Sequence, residues 1–466
     1  MPSRTRRDFL VASTAGISGF RFGDSMASAA SGPIGQRKSP AKSTILFFLC
    51  GGASHVDTWD LKPDAASEYR SPFLPIRTAS PEIQLCEHLP MTAKVADKIA
   101  LVRSVTDGGR ATGDHHAGYY YNLTGHAPDQ SFRTEGNNRR PQPDDWPFMG
   151  SVVGARREPH PSLPQLISLP HMPSRAPFTR PGQFSGKLGA LHDPLYLKAE
   201  HAEPMRFSAP SLTLQTDRGR IEDRRGLLHA LDGARAEFDV SAQAQNLDAY
   251  HDKAFSLLSS AGTTEAFDIG SEPDSLVERY GSTVNGTSLI MARRLVEAGV
   301  PFVTVFWREN LSIKDKCRSA GGWDTHGNNF KCLSDYLLPE FDRAYSALIE
   351  DLSDRGMLDD TLVLVSSEMG RKPKIGDRRS GGVIGAGRDH WTACQSVLLA
   401  GGGIQGGQVY GKTDARGELP VENVLSPADV TKTVYHAMGI DDLQATDRGG
   451  RPFNLLDEGR PLVELF

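Results

Sequence analysis

Short, unbroken apolar runs that end in glycine or polar residues recur along this chain, with helix-spaced stretches between them. The first, residues 43–49 (Ser-Thr-Ile-Leu-Phe-Phe-Leu), runs into Cys50-Gly51-Gly52. A half-exposed strand would alternate, so an unbroken run of this length reads as a strand covered on both faces. Runs of the same kind stand at 99–105, 302–306, 361–365 and 396–400. Residues 328–355 instead place Leu333, Leu337, Phe341, Tyr345, Leu348 and Leu352 at the three-or-four spacing of one buried helical face. Ser426-Pro427-Ala428-Asp429 opens a further helix to about Met438, with Ser as cap and Pro at the first helical position. His436 on that helix reads as packed or solvated. Strands alternating with helices predict an α/β protein with a doubly wound sheet and helices on both faces.

In such sheets the ligand site lies beyond the carboxyl ends of the strands. Polar clusters stand there at 54–57, 114–116 and Glu368. Asp389 and His390 instead precede a strand, on a glycine-rich loop that could fold back. Residues 127–300 are poorer in strand-like runs, rich in Pro, Arg and Gly up to about Gly189, and mostly helical in pattern from Arg218. They read as an inserted lid that sets substrate choice, leaving 30–126 and 301–466 as the core.

At 466 residues and 38% hydrophobic content the chain can bury a large core. A net charge of −5 without charged blocks gives no reason to expect nucleic acid or an anionic membrane as partner. Thr5-Arg6-Arg7-Asp8-Phe9-Leu10, a mild apolar stretch to Phe20 and Ala27-Ser28-Ala29 read as a twin-arginine signal peptide over 1–29. Its apolar part is too short to cross roughly 30 Å of hydrocarbon, so no stable membrane span is expected. The twin-arginine export machinery is then a partner and the periplasm or extracellular space the destination. That route moves folded proteins, which suits a chain that loads a metal before export. Five Cys, odd in number and without CxxC spacing, indicate neither a disulfide framework nor a thiolate zinc site, though one pair can form outside the cytoplasm.

The candidate chemistry is concentrated in few places, for the chain holds only 14 His. Gly-Gly-Trp-Asp-Thr-His (321–326) sets Asp324 two residues from His326, and Gly-Arg-Asp-His-Trp (387–391) and Gly-Gly-Ala-Ser-His-Val-Asp-Thr-Trp-Asp (51–60) repeat the pairing of Asp with His beside glycine. Asp57, Asp324, His326, Glu368, Asp389 and His390 form a mixed oxygen and nitrogen set that suits one or two divalent ions, Zn²⁺ or Mn²⁺ rather than Ca²⁺ or Mg²⁺. Such ions serve ester hydrolysis, with Arg371 and Arg388 as clamps for an anionic group. Each residue also has a plainer reading. Asp57 and Asp324 suit helix caps, Glu368 a surface carboxylate, and the two Arg solvated charges. Asp114-His115-His116 begins a helical pattern, where an imidazole would face the anion-favouring helix end as nucleophile or ligand; the alternative is a capping Asp with two exposed His.

Gly-Gly-Ala-Ser-His-Val-Asp-Thr-Trp-Asp-Leu-Lys-Pro (51–63), Tyr-Tyr-Asn-Leu-Thr-Gly (120–125), Glu-Arg-Tyr-Gly (278–281) and Ala-Arg-Arg-Leu-Val-Glu-Ala-Gly-Val (292–300) carry a family resemblance, as do Gly-Gly-Trp-Asp-Thr-His-Gly (321–327), Gly-Arg-Asp-His-Trp (387–391) and Leu-Leu-Ala-Gly-Gly-Gly-Ile (398–404). With them the chain resembles the domain-of-unknown-function family DUF1501, exported sulfatase-like proteins of the alkaline phosphatase superfamily, over nearly its whole mature length. The resemblance implies an alkaline phosphatase/sulfatase-like fold. It assigns the superfamily's site roles to Asp57, the 114–116 region, Asp324 with His326, Glu368 and His390. The sulfatase Cys/Ser-x-Pro-x-Arg motif is absent. Counting back from Leu123-Thr124-Gly125 puts His115 at the nucleophile's place, with Thr112 the nearest hydroxyl and Ser54 and Thr58 further candidates. Met369 follows Glu368 where relatives carry Asp-His. Two functions fit: an exported metal-dependent hydrolase of phosphate or sulfate esters, on a small-molecule or polysaccharide substrate, or a non-catalytic metal-bearing binding or scaffold protein.

Overall fold

The computed structural model describes residues 40–175, 177–209, 265–376, 387–447 and 449–466. The signal peptide expected at 1–29 and the helical stretch expected from Arg218 up to residue 264 lie outside them. The apolar runs become strands β1 (Ser43–Phe48), β2 (Ile99–Val105), β5 (Phe302–Phe306), β6 (Thr361–Ser366) and β7 (Gln395–Ala400) of one sheet. Three short strands, β3 (Leu166–Leu169), β4 (Leu195–Tyr196) and β8 (Gln408–Tyr410), complete eight in the order β8-β2-β7-β6-β1-β5-β3-β4. Every residue of β1 is buried, and Phe47 and Phe48, on opposite faces by strand alternation, explain why. Phe47 stacks on Phe341 of a helix at Leu338–Asp354 with centroids 5.9 Å apart, while Phe48 meets Tyr119 of a helix at His115–Thr124 at 4.9 Å. Helices therefore cover both faces, and one apolar cluster runs through the layers.

β1 pairs in parallel with β5 and β6, β5 with β3, β3 with β4, and β2 with β8. β7 alone runs against its neighbours β6 and β2. The start of β7 thus meets the carboxyl ends of β1, β2, β5 and β6 at one edge. His390 reaches that edge by strand direction, and no folded-back loop is required. From the stretch 127–300, expected to be an inserted lid poor in strands, β3 and β4 extend the main sheet. They were missed because strands of four and two residues carry too little periodicity to read.

Among the described residues the helices of eight residues or more are α1 (His115–Thr124), α2 (Met149–Arg156), α3 (Val284–Glu297), α4 (Leu338–Asp354) and α5 (Pro427–Ala437). The amphipathic stretch ahead of α4 starts at Asn329–Cys332 and widens to a π-turn over Leu333–Leu337. Pro339 has no N–H for the preceding turn, so the wider turn stands where a regular one would lose its hydrogen bond. Ser426 caps α5 in a reciprocal box with Asp429, and His436 packs against Phe466. Cys317 and Cys332 form a disulfide, while Cys50, Cys86 and Cys394 are free and buried. Among the described residues no helix is long and apolar enough to cross a membrane.

Candidate metal centre

Loops at the carboxyl edge of the sheet bring four side chains together. His115 is the first residue of α1, and Asp324 and His326 stand on the loop after β5. His390 pairs with Arg371 in a short antiparallel ribbon, Gly370–Arg371 against His390–Trp391. The approach is close: Gly51, at φ +123°, carries no Cβ, and one placed there would fall on the backbone of Trp323 and Asp324. Gly118 does the same on α1, where a Cβ would strike the backbone of Glu368.

Three imidazoles converge on the Asp324 carboxylate. His326 Nε2 lies 3.0 Å and His390 Nε2 3.2 Å from Oδ1, and His115 Nε2 lies 3.4 Å from Oδ2. The Nε2 atoms of His326 and His390 are themselves 3.0 Å apart. His390 Nδ1 donates to the Gly113 carbonyl at 2.7 Å, and His115 Nδ1 donates to Glu368 Oε1 at 2.8 Å. A neutral imidazole that donates through Nδ1 presents a lone pair at Nε2. A neutral His390 would thus aim a lone pair at an imidazole nitrogen and a carboxylate oxygen, contacts that either a proton or a metal cation between the atoms makes favourable. Outer nitrogens held by a carboxylate and a carbonyl are the usual support of metal-ligating His.

The carboxylates around the imidazoles are held differently: Asp324 pairs with Arg371, Glu368 answers His115 and also meets the Arg180 charge, and Asp389 lies 3.6 Å from His326 Nδ1. Burial pushes the Asp324 carboxyl up, but hydrogen bonds from His115, His326 and His390 and the Arg371 charge outweigh it and hold it well below the usual range. Burial draws His115 down, yet Asp324 and Glu368 raise it; His390 stays lowered, by burial first. Two overlapping sets, His115-Asp324-His390 and His326-Asp389-His390, each place their donor atoms within 4.8 Å of one another, the reach of one ion.

The chain belongs to the DUF1501 family. The family's model, described as a protein of unknown function, matches residues 41–466. None of the curated proteins matches significantly. Solved structures similar to this DUF1501 chain include a sulfatase from Pseudoalteromonas sp., at 11% identity over 87% of this chain and 68% of that one with a TM-score of 0.39. A phosphonate monoester hydrolase from Silicibacter pomeroyi is similar at 13% identity over 90% of this chain and 76% of that one, TM-score 0.38.

The other candidates of this DUF1501 chain fall elsewhere. Asp57 belongs to neither set: Arg388 donates to it through Nε at 2.7 Å and a terminal nitrogen at 2.9 Å, Ser54 Oγ at 2.6 Å and Asn329 at 3.0 Å. Burial alone would raise Asp57, but Arg388 lowers it. Glu368 orients His115 and accepts the Gly51 N–H at 2.8 Å. His116 points to the Arg139 carbonyl, and Thr112 bonds Asp114. Ser54 Oγ serves Asp57, and Thr58 donates to the Ser54 carbonyl.

Neither expected anion clamp has a donor to offer. Arg371 uses its five N–H groups on the carbonyls of Gly51, Gly52 and Arg388, on Asp324 and on His326. Arg388 uses its five on Asp57 twice and on the carbonyls of Lys372, Pro373 and Tyr69. In this structure they hold the carboxylates of Asp324 and Asp57 in place. Sequence reasoning missed Gly113 and Asn329. A backbone carbonyl leaves no residue-type signal, and Asn329 sits 272 positions from its partner.

Proposed function

We propose that this chain is an exported, metal-dependent hydrolase of phosphate or sulfate esters. The observation that carries the reading is the convergence of three imidazole Nε2 atoms on one carboxylate. His115, Asp324, His326 and His390 would hold one divalent ion of the Zn²⁺ or Mn²⁺ class, with Asp389 beside His326. Such an ion polarises an ester oxygen and lowers the pKa of water. The chain's own contribution is orientation: Glu368 and Gly113 fix two ring tautomers, and Arg371 fixes Asp324. The start of α1, where His115 stands, adds the partial positive charge of a helix end, which favours an anionic ester. The twin-arginine pattern at 1–29 supports export.

A second reading, a non-catalytic metal-bearing protein, is favoured by one observation: Ser54, Thr58, Thr112, Arg371 and Arg388 are all committed to internal partners. Elemental mass spectrometry of the purified chain and of an Asp324→Ala/His326→Ala variant tests the metal, and p-nitrophenyl phosphate and sulfate test turnover. The hydrolase reading expects near-stoichiometric metal and chelator-sensitive cleavage, both lost in the variant. Metal without cleavage of either ester selects the second reading, and no metal in either protein overturns both.

A further inference from the structure

The four side chains at the centre are not supported equally. His115 begins a helix, and His390 is paired in a ribbon with Arg371. Asp324 and His326 instead sit on a stretch, 318–328, that holds neither helix nor strand. Its backbone bonds near the ligands are local or to another loop: Thr325 N–H to Trp323 O at 2.9 Å, His326 N–H to Asp324 O at 3.1 Å, and Arg388 N–H to Thr325 O at 3.3 Å. Ala320 at φ 53° and Asn328 at φ 56° flank the ligands in left-handed conformations that non-glycine residues adopt at a cost. Side-chain bonds help as well: Trp307 Nε1–H to the Gly321 carbonyl at 2.7 Å, Asn328 to the Lys316 carbonyl at 2.9 Å, and Arg371 to Asp324. The covalent restraint is Cys317–Cys332, which closes this stretch across a separation of 15 residues with both cysteines fully buried.

Resting on the metal reading above, we propose that Cys317 and Cys332 are positioning residues for Asp324 and His326, so that the centre binds its divalent ion tightly only after these two thiols have become a disulfide. Their two electrons and two protons pass by thiol–disulfide exchange to an oxidising disulfide outside the cytoplasm, which is reduced to a dithiol. With the thiols reduced, the loop can leave its left-handed conformations, and two of the four donors lose their fixed distance to His115 and His390. Disulfides persist in oxidising compartments and not in the cytosol. The order of assembly is then oxidation outside the cytoplasm followed by tight metal capture, the reverse of loading before export.

The test is calorimetric titration of the full chain with Zn²⁺ in three forms: oxidised, reduced by a phosphine that is then removed, and Cys317→Ser/Cys332→Ser. Far-UV circular dichroism checks each fold, and the Co²⁺ absorption spectrum reports donor geometry. We expect affinity to fall about ten- to a hundredfold in the reduced and variant forms, the loss typical of disturbed ligand support, with an altered Co²⁺ spectrum. Reoxidation of the reduced form restores both. If the variant fails to fold, the reduced wild type supplies the comparison. Equal affinity in oxidised and reduced protein overturns this proposal and leaves the metal centre standing. No Zn²⁺ binding by the oxidised chain overturns the metal centre itself, and this proposal with it.

Discussion

Two carboxylate–arginine pairs stand at the same edge of the sheet and do different work. Asp57 and Arg388 are both fully buried and match charge for charge and bond for bond, with Ser54 and Asn329 taking what remains. Asp324, 40% exposed at its side chain, meets Arg371 but also three imidazoles, with two further carboxylates nearby. The first pair is neutral and closed; the second gathers three imidazoles as well as a guanidinium around one carboxylate. A carboxylate becomes a candidate ligand where its neighbours bring further donor atoms to it, and a structural strut where a guanidinium answers it completely.

The largest effect that sharpens this contrast is Arg388→Met. It leaves Asp57 charged, buried and without its partner, which costs about 3–5 kcal/mol of unfolding free energy in denaturant titration. A change below about 1 kcal/mol would break the idea that this pair is a strut. Asp324→Asn is the mirror experiment. The amide oxygen still accepts from Arg371, so stability moves by about 1 kcal/mol, while Zn²⁺ affinity drops by more than about a hundredfold, beyond what disturbing a supporting group does. Unchanged Zn²⁺ affinity would remove Asp324 from the ligand set.

Glu368→Gln comes next. Its carbonyl still accepts the His115 Nδ1–H and the Gly51 N–H, so only the charge is lost, and Zn²⁺ affinity falls about tenfold in the same titration.

The smallest effect concerns pH. Asp57 and Asp324 are both held below 3.8 in the fold, so what they contribute is intact at and above that pH and is lost only as pH falls through their lower folded values. His126 differs. Stacked on Trp146 and bonded to the Leu455 carbonyl, it is lowered by burial from 6.5 to about 4. A depressed histidine gives stability that is complete above 6.5 and is lost as pH falls toward 4, because the unfolded chain takes the proton first. His126→Gln should flatten unfolding free energy against pH in that window relative to wild type. An unchanged slope would show that His126 is not the source of acid sensitivity in that window.

Much of this was legible along the chain, for physical reasons. Strands covered on both faces need unbroken apolar runs, so β1, β2, β5, β6 and β7 were visible. Ser426-Pro427 announced α5 because capping is local chemistry. Asp324, His326, Asp389 and His390 stood out by residue type and spacing beside glycines that allow close approach. The short β3, β4 and β8 were not visible, since two to four residues make no pattern. Nor was the difference between His55-Val-Asp57 and Asp324-Thr-His326, which share composition and spacing. His55 Nε2 bonds the Gly417 carbonyl, while His326 faces Asp324.

What residue order determined by itself is the five long strands of the sheet, the cap of α5 and the inventory of groups able to hold an ion, all set by neighbours a few positions apart. Tertiary structure decided which carboxylate each guanidinium would answer. It also reversed β7, so that His390 arrives at the edge where β1, β2, β5 and β6 end. Those choices depend on partners tens to hundreds of residues away, whose charges and lone pairs balance only once the sheet has brought them within a few ångströms.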